Sequence, residues 1–278
     1  MPPVTFLLID CHAHLTHPQF SSDRGQVLAQ ARQRGVGAVV VVGEDEADNQ
    51  AVLAGPGPGE NQPAWLPFLG LHPDRWADTR HTPQGPQALP PAENLEEQLA
   101  RVEAQIRENR HRIAGVGEVG LDRWVCQQQA PRQAQAQALI RLAALAKALD
   151  LPLNVHSRSA GRVTLELLRE HQARRVLMHA FDGKAGHALE GARAGYLFSI
   201  PPSVLRSPQK ENLVRALPLE SLLLETDSPV LGPDPRGRNE PANLPLVVEA
   251  VARLKGIPPG EVAERTTATA RAWLGWAG

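Results

Sequence analysis

Val4-Thr-Phe-Leu-Leu-Ile9-Asp10-Cys-His12-Ala-His14 opens with a short apolar run and ends in two histidines one residue apart. The run is near-continuous rather than alternating, which predicts a strand buried on both faces over Val4–Ile9. Seven similar runs follow: Ala38–Val42, Leu66–Leu69, Ile113–Val116, Leu153–Val155, Val176–Met178, Tyr196–Ile200 and Leu222–Leu224. Candidate helices fill the spaces between and after them: Ser22–Arg34, Leu95–Asn109, Ala134–Leu149, Gly161–Glu170, Gly183–Ala194, Gln209–Leu217, Asn243–Lys255 and Pro259–Leu274. Strands alternating with helices imply βα units and a parallel sheet. Eight such strands predict an α/β fold closed into a TIM-like (β/α)8 barrel, a single domain over 1–278. An open sheet of the same elements is the alternative. Gly55–Pro63 and Pro73–Pro91, rich in Gly, Pro or polar residues, read as loop insertions (55–63 and 73–91).

Composition narrows the function. With 42% hydrophobic and 21% charged residues in 278, the chain is globular rather than disordered. A net charge of -1 excludes a strongly basic DNA-coating protein. Aromatic residues, at 4%, are too few for a surface built of stacking platforms for single strands. Only four of the 29 basic residues are lysines. Two cysteines, Cys11 and Cys126, point to a reducing compartment. The N-terminus lacks a basic region, and Asp10 and His12 interrupt its apolar run, unlike a signal peptide. The longest apolar run, Val36–Val42, is too short to cross a bilayer. The expectation is an intracellular protein of cytoplasm or nucleus, with no membrane partner. With no exposed apolar stripe in view, it is expected to be a monomer.

Five of the ten histidines follow predicted strands: His12 and His14 the first, His72 the third, His156 the fifth and His179 the sixth. Glu118 follows the fourth and Asp227 the eighth. Barrel active sites gather at the C-terminal ends of strands, so these seven groups are expected at one mouth. Residues two apart in an extended segment point to the same side, which lets His12 and His14 hold one ion together. Nitrogen and carboxylate donors suit zinc, manganese or iron, and four imidazoles disfavour magnesium as the sole ion. Gly115-Val-Gly-Glu118-Val-Gly120 matches a dinucleotide-binding pattern, but no helix opens after it. Glu118 inside that turn is better read as a metal bridge. Asp227 can bind metal and take a proton from water; Glu225 is its neighbour at the same strand end. Cys11 lacks a base of its own, and neither G-x-S-x-G nor a P-loop occurs. Arg158, two residues from His156, and Arg206 are the candidate phosphate contacts.

Seven ordered segments carry a resemblance: Asp10-Cys-His12-Ala-His14, Gly70-Leu-His72-Pro73, Gly117-Glu118-Val-Gly-Leu-Asp122, Asn154-Val-His156-Ser-Arg158, His179-Ala-Phe181-Asp-Gly183, Glu225-Thr-Asp227-Ser-Pro229 and Asn239-Glu-Pro241. Together they resemble the TatD family of metal-dependent deoxyribonucleases, over essentially the whole chain. Asn154–Gly161 and Gly195–Pro202 look most similar to its third vertebrate paralogue group. The resemblance implies two or three divalent ions (Zn, Mn or Mg). His12 and His14 would hold one, with Asp227 near it; Glu118 would bridge to a second held by His156 and His179. It also implies DNA, single-stranded or damaged duplex, as the partner. The reaction implied is phosphodiester hydrolysis by metal-activated water, as a 3′-exonuclease and an abasic-site endonuclease. Asp227 and Glu118 are then catalytic, and His72 touches the phosphate or moves a proton. Asp182 departs from the serine common in the family and adds negative charge near an arriving phosphate. Two rival readings use the same residues: an amidohydrolase acting on a small amide or lactone, and a metal-bound nucleic-acid scaffold without turnover.

Overall fold

The structure, a computed structural model, describes residues 7–57, 59, 61–82, 84–90 and 94–276. Residues 4–6 of the first predicted strand lie outside these, as do 58 and 60 of one predicted loop and 83 and 91 of the other. Eight parallel strands form one sheet in chain order: β1 Leu8–Ala13, β2 Val36–Val42, β3 Ala64–Leu69, β4 Gly115–Gly120, β5 Leu153–His156, β6 Val176–Met178, β7 Leu197–Ile200 and β8 Leu222–Leu224. Helices follow the strands: α1 Arg24–Gln33, α2 Glu46–Ala54, α3 Leu95–Glu108, α4 Gln129–Ala148, α5 Gly161–Glu170, α6 Ala185–Arg193, α7 Pro208–Ala216, α8 Leu244–Lys255 and α9 Pro259–Leu274.

The sheet curls until its first and last strands meet. Ala13 bridges Ser228 in parallel, His14 N–H donates to Ser228 O (2.8 Å) and Asp227 N–H donates to His12 O (2.8 Å). Below these bonds the buried Asp10 carboxylate accepts from Thr226 N–H (2.9 Å) and Thr226 Oγ1–H (2.6 Å). The seam thus rests on a few bonds beyond the end of β8, which makes an eight-stranded barrel of the predicted kind.

Alternation along the strands sorts the core into two clusters. Ile9, Cys11, Ala38, Val40, Val42, Leu66 and Phe68 face inward, joined by Trp273 and Leu274 of α9. Leu8, Val39, Val41, Leu69 and Val116 face the outer helices. Phe68 lies 5.5 Å from Trp273 between ring centroids, so the last helix packs onto the barrel interior. Truncating a buried aromatic such as Phe68 costs about 3–5 kcal/mol.

Three local expectations change. Glu118 lies within a strand rather than in a turn, because Gly115–Gly120 is β4. Its glycines are needed for close approach: a Cβ on Gly117 (φ +143°) would sit 2.6 Å from Asn154 O, and one on Gly120 would sit 2.0 Å from His156 O. The 73–91 segment is not loop throughout. It holds a short 3-10 turn, Pro73–Trp76, and an antiparallel hairpin, Thr79–Thr82 with Gly85–Ala88. Asp78 anchors that hairpin by accepting from Thr79 Oγ1–H (2.7 Å), Gln127 N–H (2.9 Å) and Gln128 N–H (2.7 Å) at the start of α4. Helix α2 is additional; Asp45 caps it by accepting from Asp48 N–H (2.9 Å).

Candidate metal centre

The strand ends deliver six donor side chains to one point. His12 stands near the end of β1 and His14 just beyond it. A register shift between Asp10 and Ala13 interrupts the ladder there. His12 Nε2 and His14 Nε2 lie 3.2 Å apart. Each also faces the same two carboxylate oxygens. Glu118 Oε2 is 3.4 Å from His12 Nε2 and 3.3 Å from His14 Nε2, and Asp227 Oδ1 is 3.5 Å from both. Donors at about 2.1 Å from a tetrahedral ion stand roughly 3.4 Å from one another, so this spacing fits a divalent metal.

The other oxygen of Glu118 meets a second set. Oε1 lies 2.6 Å from His156 Nδ1, 2.8 Å from His179 Nε2 and 3.5 Å from His72 Nε2. Within that set His156 Nδ1 and His179 Nε2 are 3.2 Å apart. Glu118, 1% exposed, therefore offers one oxygen to each cluster. Its Oε2 is buried without a hydrogen-bond partner among the described residues. Such an orphaned acceptor fits a cation beside it.

Outer groups fix the rings. His12 Nδ1 lies 3.0 Å from Asn154 Oδ1, and Asn154 Nδ2–H donates to Cys11 O (3.0 Å), leaving His12 Nε2 for the centre. His12 and His179 stack at 3.8 Å between centroids. Glu225 Oε2 is 3.6 Å from His179 Nδ1, and its oxygens accept from Ala180 N–H (2.8 Å) and Ser199 Oγ–H (2.5 Å). It therefore supports His179 from behind. Asp122 Oδ2 holds His156 Nε2 (3.2 Å) and accepts from Arg158 Nε–H (2.8 Å). Such partners orient metal-binding imidazoles and raise their basicity.

Electrostatics agree with this geometry. Burial opposes imidazolium at His14, His72 and His179, but the neighbouring carboxylates outweigh it. Asp227, Glu118 and Glu44 push His14 well up; Glu118 and Asp74 do the same for His72. Glu118 and Glu225 push His179 up to about 10. At Asp227 burial favours the neutral acid, yet the histidines hold its pKa below the ordinary carboxylate value. The rings thus sit in a negative field that attracts cations.

Of the residues expected at the mouth, His14, His72, Glu118, His156, His179 and Asp227 line one cavity of about 570 Å³, with Arg158 on its wall. His12 lies beneath them, fully buried. Arg206 is not on that wall; it is exposed, and its Nε–H donates to Gly232 O (3.2 Å). Asp182 lines the cavity, but its carboxylate accepts from Ser159 N–H (2.7 Å). Sequence reasoning missed Glu44, whose Oε1 lies 3.1 Å from His14 Nδ1. It follows Val42-Gly43 at the end of β2, a strand end for which no group was assigned. It also missed Lys210, a buried lysine of α7 lowered to about 8 by burial, whose Nζ donates to Ala180 O (2.6 Å) and Phe181 O (2.8 Å).

A parallel barrel with two imidazole–carboxylate clusters at its strand ends, joined through one glutamate, defines a metal-dependent hydrolase. Comparison with known proteins refines that class. The family model "TatD related DNase" matches residues 9–275. Human deoxyribonuclease TATDN3 is 44% identical over 270 residues, covering 95% of this chain and 93% of its own. The metal-dependent hydrolase YabD of Bacillus subtilis is 30% identical, covering 95% and 98%. The crystal structure of YjjV, a TatD homologue of Escherichia coli, superposes with a TM-score of 0.81 at 26% identity, covering 97% and 98%. The chain belongs to the TatD-related DNase family. No helix among the described residues is long and apolar enough to cross a membrane.

Proposed function

We propose that this protein hydrolyses DNA phosphodiester bonds as a 3′-exonuclease that also cuts at abasic sites. In this reading His12, His14 and Asp227 would hold one divalent ion and His156 and His179 a second, with Glu118 serving both sets. The observation that carries it is the Glu118 carboxylate, whose two oxygens face two separate donor sets. When bound, such ions supply Lewis acidity that lowers the pKa of water and polarises a phosphate oxygen. Four imidazoles favour zinc or manganese over magnesium alone.

The chain's own groups do the rest. Asp227, ionised and on the cavity wall, orients the attacking water and accepts its proton. Arg158 places the phosphate: two of its N–H groups go to Asp122, and the half-exposed remainder of the guanidinium faces the cavity. His72, with Nε2 only 3.5 Å from Glu118 Oε1, closes the wall beside it and contacts the phosphate. With a net charge of -1, binding rests on few phosphate contacts. Two or three of them give a log–log salt slope no steeper than about −2 on single strands.

The test is cleavage of end-labelled single-stranded DNA and abasic duplex by metal-stripped protein resupplied with manganese, zinc or magnesium. A Glu118→Gln control accompanies it. Cleavage from the 3′ end that needs a divalent ion and disappears in E118Q supports the reading. Metal binding without cleavage under any ion, or turnover of a small amide or lactone instead, overturns it.

A further inference from the structure

Large apolar side chains exposed among the described residues are Trp124, Leu205 and Val230. Each follows a barrel strand at its C-terminal end: Trp124 after β4, Leu205 after β7, Val230 after β8. All three therefore rim the mouth that holds the donor clusters, and Val230 lines the cavity itself. Hydrolysis of a bare phosphate gives no reason for an apolar rim. A phosphate attached to flat aromatic bases does.

Trp124 is the most developed of the three. It is 48% exposed, yet its backbone is pinned from several sides. Its N–H donates to Asp122 Oδ1 (2.8 Å), and its carbonyl lies 2.7 Å from His81 Nε2 and accepts from Gln127 Nε2–H (2.9 Å). The His81 ring, carried by the hairpin, stacks on the indole at 4.1 Å between centroids and 23° between planes. The next residue, Val125, lines the metal cavity. Asp122 is the same carboxylate that holds Arg158 and touches His156. One buried side chain thus sets the indole, the phosphate-facing guanidinium and a candidate metal ligand in fixed relation.

We infer that the Trp124–His81 pair is a stacking platform for one unpaired nucleobase of the substrate, beside the phosphate that is cut. The inference rests on the DNA reading above and deepens it: the strand end must be unstacked from a duplex before it can be processed. Base stacking on an aromatic side chain is tolerant of sequence, so the platform selects single-stranded character rather than a particular base. A chain with 4% aromatic residues cannot line a groove with such platforms, but one at the mouth is enough to seat an end.

The experiment uses the metal-loaded protein and short oligothymidylates. Some carry dihydrothymine, which keeps the base's hydrogen-bonding groups but loses its flat aromatic ring, at each of the last three positions in turn. W124A is expected to lower kcat/KM on the normal oligonucleotide by roughly 10- to 100-fold, the usual effect of losing one stacked base. W124F should recover most of it, and metal content should be unchanged in both. At one position dihydrothymine should produce a similar loss, and the two losses should not multiply. Quenching of tryptophan fluorescence by a cleavage-resistant phosphorothioate oligonucleotide should shrink in W124F. Cleavage by the unsubstituted protein together with a W124A protein that is equally fast overturns the platform alone. So does a loss that multiplies fully with dihydrothymine at every position. Absence of any DNA cleavage or binding by the unsubstituted protein removes the DNA reading and the platform with it.

Discussion

Replacing Asp122 by asparagine tests whether the candidate ligand His156 is tuned from behind. Asp122 is buried, and its Oδ2 holds His156 Nε2 at 3.2 Å and both Arg158 Nε (2.8 Å) and Nη2 (2.6 Å). Burial favours its neutral form, but His156 and Arg158 outweigh that and hold its pKa well below the usual carboxylate value. Asparagine can keep the two bonds that Oδ1 accepts from Trp124 N–H and Val125 N–H. It cannot supply the charge. Charge-assisted hydrogen bonds contribute about 1.5–3 kcal/mol each, but the half-exposed Arg158 regains water when released. A net loss of about 1–2 kcal/mol in the stability of the metal-free protein is therefore expected.

The larger effect falls on metal affinity, because a carboxylate partner raises the basicity of the ring it holds. Loss of such a partner costs about 10- to 100-fold in affinity. The stabilisation that saturating metal confers should fall by about 1.4–2.7 kcal/mol. Chelator competition reads the affinity, and thermal unfolding with and without metal reads the stabilisation. R158A is the companion variant: it leaves Asp122 on His156, so it should raise KM while changing metal affinity less than threefold. A D122N protein that binds metal within twofold of the unsubstituted protein would falsify the account of His156.

Three further outcomes follow from geometry already described. Gly120→Ala places a methyl 2.0 Å from His156 O, so β5 must move; weakened binding at one metal equivalent, with little change at the other, is the expected titration result. Asp78→Asn should destabilise the protein by about 1–2 kcal/mol and speed proteolysis within residues 79–88. Burial raises the Asp78 pKa, but hydrogen bonds from Gln127 and Gln128 lower it further, and the net shift is downward. Its contribution is thus present above the unfolded value near 3.9 and is lost as pH falls through the folded one. Acid unfolding curves of the two proteins should converge at low pH. Finally, burial pushes the Cys126 thiol up to about 12 and the Cys11 thiol well above its ordinary value. Neither should react with a thiol reagent in the native state, while both should react in denaturant; rapid native labelling of Cys11 would contradict its place inside the barrel.

The barrel and its mouth were legible because seven of the eight apolar runs are followed within three residues by a histidine or carboxylate. A parallel sheet puts all such ends on one face, so periodicity alone placed His72, His156 and His179 together. What was hidden depends on partners remote in the chain. Gly115–Gly120 looks like a turn because glycine is a poor strand former; the need for glycine appears only when Asn154 and His156 lie against it. Helix α2 buries only Asn49 and Val52, too few for an apolar stripe. The hairpin carries Pro86 and Gly85 and no alternation; Asp78 and Val125 hold it instead. Asp122 closes the Gly117–Asp122 segment, but its task is set by Arg158, 36 residues on.

The seam between β1 and β8 also has a meaning in time. His12 and His14 leave the ribosome before the other donors, while their partner Asp227 emerges last among them. At about 5–20 residues per second, the hundred or so residues from Glu118 to Asp227 take roughly 5–20 s to synthesise. Throughout that interval the nascent chain carries His12, His14 and Glu118 without Asp227, the carboxylate that faces both histidines. A product that stops short of Asp227 lacks that carboxylate, and the candidate centre is assembled only once β1 has met the segment after β8.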